Sequence, residues 1–285
     1  MNNHLFAKGG ISVRKRDYAA LIGTVAVLGW LLYLLVTLLM VPGVQTQTVH
    51  RKELSPGVQN IVKRAYQMTE ISWTPQRDLV AWDGLFTYEA GVTYKGLPYG
   101  QPRDGCYIPW ELDYQGFLAV VADPDSKMYT ERASFVADAP YYSCDCSSFV
   151  CWAWQLEDHR LTQHVPDLVE ELTGAAYTDV QVGDVLWYPL HHTLMITDIL
   201  YNADDEMIAV EISESSAKRA AQFCAARVWF GEGYDRSLAD FQEKYFTGGY
   251  VLYRLLDPEA VVYTHDCAVP LEGDVCEICG YGMDS

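Results

Sequence analysis

Positive charge is scarce in this chain: 20 of 285 residues are Lys or Arg against 38 Asp and Glu, a formal net charge of −18. So acidic a protein lacks the basic surface that nucleic-acid binding needs, and nucleic acid is excluded as a partner. No internal repeat and no low-complexity tract occurs, so neither a solenoid nor a compositional linker accounts for the length. Half of the residues are apolar, enough for a sizeable core, which removes disorder as the default. Charge of either sign is missing altogether from Tyr18 to Val44, a stretch dense in Leu, Val and Ala. An uncharged run longer than the ~20 residues a bilayer needs predicts a transmembrane helix. It also exceeds the roughly 15 residues of a signal-peptide core, although Val41-Pro42-Gly43-Val44 would suit a cleavage point in that alternative.

The few bases near this run set its orientation. Lys8, Arg14, Lys15 and Arg16 precede it, whereas Arg51 and Lys52, beside Glu53, follow it. Bases are retained inside, so residues 1–17 are expected in the cytoplasm, 18–44 in the membrane and everything beyond about 45 outside. Beyond residue 17 the chain holds 16 basic and 37 acidic residues, a formal charge of −21, which works against tight attachment to an anionic wall. The eight cysteines are Cys106, Cys144, Cys146, Cys151, Cys224, Cys267, Cys276 and Cys279. Outside a membrane such a number suggests disulfides, but if one is a reactive thiol the remaining seven cannot all pair within one chain.

Ser55-Pro56 followed by Val58, Ile61, Val62 and Ala65 reads as a capped helix with one apolar face, opening a domain over 55–256 after a polar stem, 45–54. Residues 96–142, rich in Gly, Pro, Asp and Tyr, read as loops with short elements. From Cys146 to Leu156 the chain is apolar on nearly every side, as in a buried central helix. A further helix is expected at 166–173, stopped by Gly174. Strands follow at Val185–Tyr188, Thr193–Leu200, Met207–Ser213, Ala226–Phe230 and Tyr250–Arg254. Helices first and clustered strands later imply an α+β architecture.

Chemistry concentrates in two segments. In Asp145-Cys146-Ser147-Ser148-Phe149-Val150 a turn delivers a cysteine to the first turn of the buried helix, where free amides and the positive end of the helix dipole favour thiolate, the nucleophile of acyl transfer. A buried structural cysteine is the bland alternative. The second segment is Gly183-Asp184-Val185-Leu186, then His191-His192-Thr193-Leu194-Met195-Ile196-Thr197-Asp198. A histidine at the head of a strand puts an imidazole at a sheet edge, where a cysteine peptidase needs its base.

Together the two segments resemble the NlpC-type cysteine peptidases, papain-like bacterial cell-wall hydrolases with an Asp-Cys-Ser-Gly-Phe-type motif and a later Gly-Asp…His-Val-Ala-Ile-type motif. The likeness spans roughly residues 85–255 and is close around Cys146 and His192. It implies a central helix packed on an antiparallel sheet, Cys146 as nucleophile and His192 as base, with His191 a solvent-facing neighbour. It also implies an orienting polar residue on the next strand. There, period-two alternation puts Ala209, Glu211 and Ser213 on one face, and Glu211 is the candidate, with an ordinary exposed glutamate as its alternative. Residues flanking the nucleophile read the substrate in that family, which makes Asp145 and Ser147 candidates beside their plainer roles as cap and first-turn residue. Ser148 stands where the family has glycine. Tyr99, in Gly96-Leu97-Pro98-Tyr99-Gly100, resembles a cleft residue of the turn before the catalytic helix. The implied substrate is a peptidoglycan stem peptide, cut as an endopeptidase. The alternatives are a CHAP-type amidase or a catalytically silent module binding wall peptides. No cofactor is expected. In the tail, 257–285, His265, Cys267, Cys276 and Cys279 make a weak structural-zinc candidate, disulfides or free thiols serving as well.

Overall fold

Ser55 starts the first helix because its Oγ accepts the Val58 amide at 3.4 Å, while Pro56, with no amide proton to leave unpaired, takes the first helical position. In the computed structural model, which describes Trp30, residues 49–134 and residues 136–263, this helix α1 spans Pro56–Glu70 and buries Ile61, Ala65 and Met68. Apart from Trp30, the run 18–44 lies outside the described residues, as does the tail beyond 263 with His265, Cys267, Cys276 and Cys279. Among the described residues no helix is long and apolar enough to cross a membrane. Two further helices matter here, α2 (Tyr114–Ala122) and α3 (Cys146–Ala153).

A six-stranded antiparallel sheet supports them. Its strands are β1 (Val169–Glu171), β2 (Val185–Tyr188), β3 (His192–Tyr201), β4 (Met207–Ser215), β5 (Ala225–Gly231) and β6 (Val251–Leu255), in spatial order β5-β4-β3-β2-β6-β1. Period-two alternation separates two apolar faces. Val185, Trp187 and Met195 pack with Phe149, Val150 and Trp154 of the α3 segment, so this helix lies across the middle of the sheet. Phe149 and Val150 are fully buried, each burial contributing roughly 1.5–3 kcal/mol. Leu186, Leu194, Val210, Ile212 and Leu252 form the other face, packed with Phe230, Phe241 and Tyr245. The last of these sits in a π-helical segment, Gln242–Thr247. Trp154 Nε1 donates to the Gly183 carbonyl at 3.0 Å, and Arg254 grips both Asp184 oxygens at 2.7 Å, so the Gly183-Asp184 turn is tied to α3 and to β6.

Three sequence expectations change. Residues 166–173 contain no helix: Val169–Glu171 is an edge strand paired with β6, and Leu172 and Leu256 donate to the Leu252 and Leu168 carbonyls at 2.9 and 3.0 Å. A helix that short is marginal, and the sheet edge offers its backbone better partners. Within 96–142, α2 is a regular helix of nine residues capped by Asp113, whose Oδ1 accepts the Gly116 amide at 2.6 Å. The stem is partly built into the domain, because His50 bridges Tyr201 and Arg51 binds Asp198 at 2.8 Å. At the other end Val261 is buried and its carbonyl accepts Asn60 Nδ2 at 2.9 Å, so the domain runs past residue 256.

Candidate active site

The nucleophile candidate is placed by a reciprocal cap. Asp145 Oδ1 accepts the Ser148 amide at 2.6 Å, and Ser148 Oγ accepts the Asp145 amide at 2.9 Å, which fixes the entry into α3 and puts Cys146 at its first position. Ser148 thus completes the cap where the resembling family has glycine. Cys146 is 4% exposed, and its sulfur faces the backbone amides of Thr193 and Ser147, both of which favour thiolate. Burial and then the Asp145 carboxylate act the other way and prevail, so the thiol is pushed well above its ordinary range. The helix start alone pointed to a thiolate; loss of water around the sulfur outweighs it.

His192 opens β3. Its Nε2 lies 2.6 Å from Oε2 of Glu214, a fully enclosed carboxylate whose other oxygen binds Lys218 Nζ. Burial raises the Glu214 pKa, but His192 and Lys218 together bring it down to about 2. The carboxylate against His192 is therefore Glu214, and Glu211 does not touch that histidine. Pair register gives the reason. Met195 with Ser213 is the last pair of the β3–β4 ladder, so Glu214 follows directly beyond it, at the end of β3 where His192 lies. Glu211 opposes Asp198, six residues down β3 from His192 and so roughly 20 Å away along the strand. It is not an exposed glutamate either. Fully buried, it accepts from Tyr66 and Thr197 at 2.8 Å each and pairs with Arg227 at 2.7 Å, joining α1 to β3, β4 and β5.

Past the Met195–Ser213 pair the ladder between β3 and β4 ends, and at this opening the Thr193 amide meets the Cys146 sulfur. The thiol and the His192–Glu214 pair thus lie at the same end of the sheet. Tyr250, whose hydroxyl pKa is pushed up to about 12 by burial, lies within electrostatic reach of both Glu214 and Cys146. No hydrogen bond joins Cys146 to His192 among the described residues. Because Glu214 holds Nε2, Nδ1 is the ring nitrogen left to take a proton. His191 stands apart, exposed, its ring tilted against that of Tyr188 at 4.4 Å between centroids.

Asp145 and Ser147 are both buried and already engaged. Ser147 Oγ donates to Asp145 Oδ1 at 3.1 Å and lies 3.1 Å from His159 Nε2, which is itself 3.4 Å from Asp145. The Tyr107 ring packs on His159 at 4.4 Å. Desolvation raises Asp145, but His159 and the cap bonds outweigh it and hold the carboxyl below its usual range. Sequence reading passed over His159, which stands in a polar stretch with no period or motif. Tyr99 is buried against Trp82 at 5.5 Å between ring centroids and lies within electrostatic reach of Cys146 and Asp145. Cys144 is a free, buried thiol 3.2 Å from Ser148 Oγ, and Cys106, Cys151 and Cys224 are likewise free and buried. Among the described residues no group of three or more His, Cys, Asp or Glu is placed to hold a metal. No protein-family model matches the chain, and comparison with curated proteins and with solved structures returns no match.

Proposed function

We propose that the chain is a cysteine peptidase, anchored in a bacterial membrane through residues 18–44, which hydrolyses peptide bonds in peptidoglycan stem peptides outside the cell. The supporting observation is the placement, at the same end of the sheet, of a helix-start thiol and of an imidazole braced by a buried carboxylate. Cys146 faces the Thr193 amide, and the preceding residue, His192, is held by Glu214 at 2.6 Å. The peptidoglycan substrate rests on the resemblance of the Cys146 and His192 segments to NlpC-type enzymes.

Because Cys146 rests as a thiol, attack is coupled to proton transfer. His192 Nδ1 takes the proton as Sγ bonds to the scissile carbonyl carbon, and the negative charge gathering on the carbonyl oxygen faces the Cys146 amide, one of the unpaired donors at the helix start. Glu214 stabilises the imidazolium. That imidazolium then protonates the leaving nitrogen as the C–N bond breaks, leaving a thioester on Sγ. A water molecule deprotonated by the same histidine cleaves the thioester and restores the thiol. The low exposure of Cys146 favours a second reading, a module that binds wall peptides without turnover.

Incubation of the full chain with purified peptidoglycan and with free muropeptides, followed by mass spectrometry, separates the two. The peptidase yields peptides with new amino termini, and Cys146→Ala and His192→Ala abolish them. Retention of muropeptides with no product from the parent chain overturns the peptidase reading in favour of the binding module.

A further inference from the structure

On the far side of Glu214 from His192 the structure gathers cations. Lys218 binds Glu214, and the Lys244 ammonium lies against that of Lys218 while donating to Tyr245 Oη at 2.9 Å. Arg236 is within electrostatic reach of Lys244, its guanidinium over the Phe230 ring at 5.5 Å. Neither Lys244 nor Arg236 forms an ion pair among the described residues, although acids outnumber bases almost two to one in this protein. Lys244 is carried by the π-helical segment Gln242–Thr247, a rare local geometry that recurs at functional sites. Desolvation, Lys218 and Arg236 bring the Lys244 pKa down to about 8 despite the attraction of Glu214. Two ammonium groups side by side repel, and an anion between them relieves the repulsion.

Lys244 and Arg236 line one cavity of about 680 Å³, with Phe230 as its apolar wall. Asp235, Asp240 and Glu243 stand on the same lining, and Asp240 is occupied by the Ser237 amide and hydroxyl at 2.7 Å each. These acids repel a compact dianion such as phosphate more than they repel a single carboxylate. From His192 the sequence of contacts is Glu214, Lys218, Lys244, so the cavity is reached within a few side chains of the proposed base.

We infer that Lys244 and Arg236 form a carboxylate subsite that selects peptides bearing a free carboxylate a few side chains away from the bond to be cut. The inference rests on the proposed peptide-processing function and adds to it a substrate feature that no sequence motif carries.

The test compares a soluble stem peptide carrying its free carboxylates with the same peptide carboxamidated. Cleavage is followed with the full chain, and binding by calorimetry with the Cys146→Ala variant of the full chain. One charge-assisted contact corresponds to a preference of about tenfold or more, expressed in KM and in Kd. Lys244→Gln and Arg236→Gln each reduce the ratio between the two peptides to below about threefold, Lys244→Arg retains it, and added salt erodes it. Equal cleavage of both peptides by the parent chain, or an unchanged ratio in Lys244→Gln, overturns the subsite while leaving the peptidase standing. A carboxylate preference in binding that Lys244→Gln removes, with neither peptide cleaved, upholds the subsite and refutes the peptidase. No binding preference and no cleavage refutes both.

Discussion

Replacing Glu214 by Gln tests the site most directly, because it keeps a side chain of the same shape against His192 and removes only the charge. Glu214 is 1% exposed and lies 2.6 Å from His192 Nε2. A hydrogen bond between charged groups contributes about 1.5–3 kcal/mol, and this one gains most of its strength when the imidazolium forms. At 1.36 kcal/mol per tenfold in rate, kcat/KM should fall by roughly 10- to 100-fold. Lys218 adds to the loss, since its ammonium then faces the imidazolium with no anion between them. The assay is kcat/KM on a soluble muropeptide from pH 5 to 9, alongside acid unfolding followed by circular dichroism. The Glu214 pKa is lowered from 4.5 to about 2, so its contribution to stability is complete above pH 4.5 and disappears as pH falls towards 2. The parent should therefore lose stability across that window, and Glu214→Gln should show a flatter profile there. A variant within threefold of the parent, with a large loss in Glu211→Gln at equal folding, refutes the assignment of Glu214.

Three other outcomes are expected. Glu211→Gln removes the buried charge of the Glu211–Arg227 pair, leaving the exposed Arg227 with Glu70, and weakens the bonds to Tyr66 and Thr197, so it should cost about 1–3 kcal/mol by urea denaturation, with turnover per folded molecule within about twofold of the parent. Cys146, whose thiol pKa is raised by burial and by Asp145, should react with iodoacetamide at pH 7 more slowly than a free thiol of pKa about 8.5, with a rate still rising above pH 9. A plateau near neutrality, lost in His192→Ala and kept in His191→Ala, would instead reveal a preformed thiolate–imidazolium pair. In cells stripped of wall, external protease should remove the chain beyond about residue 45 and leave the N-terminus protected. Recovery of the whole domain from the medium with a new N-terminus near Val44 contradicts the anchor.

Elements whose signal is local were legible in the sequence. Ser55-Pro56 marked α1, the apolar run after Asp145 marked α3, and Val185–Tyr188 matched β2 at both ends. Where long-range pairing decides, the sequence misled. Leu168 to Leu172 has helix-compatible residues and a Gly174 stop, yet β6 recruits it as an edge strand. The same limit explains Glu211. Alternation correctly gathers Ala209, Glu211 and Ser213 on one face, but His192 meets Glu214 of the other face just past the last β3–β4 pair, and period two does not say which face or which register the histidine uses. His159 had no signal at all, because a loop that folds back onto the Asp145 cap leaves no pattern in the chain.

Asp145 explains why the thiol and the cap belong to one design. As a cap it orders the start of α3, an effect of about 1 kcal/mol, yet its charge beside the sulfur opposes the very thiolate that the helix start favours. A site selected for a standing thiolate would place an uncharged cap there. Cys106, Cys144, Cys151 and Cys224 are also free thiols, all raised by burial first. Oxidation and disulfide exchange proceed through the thiolate, so these environments slow the cross-linking of every described cysteine, as the proposed place outside a membrane requires. In the proposed reaction the consequence for Cys146 is that nucleophile and imidazolium arise together, when a bound carbonyl is present to be attacked and His192 Nδ1 is there to take the proton. On that account Glu214 governs the rate more than the resting titration of Cys146 does, since it stabilises the charge that exists only while the bond is being made.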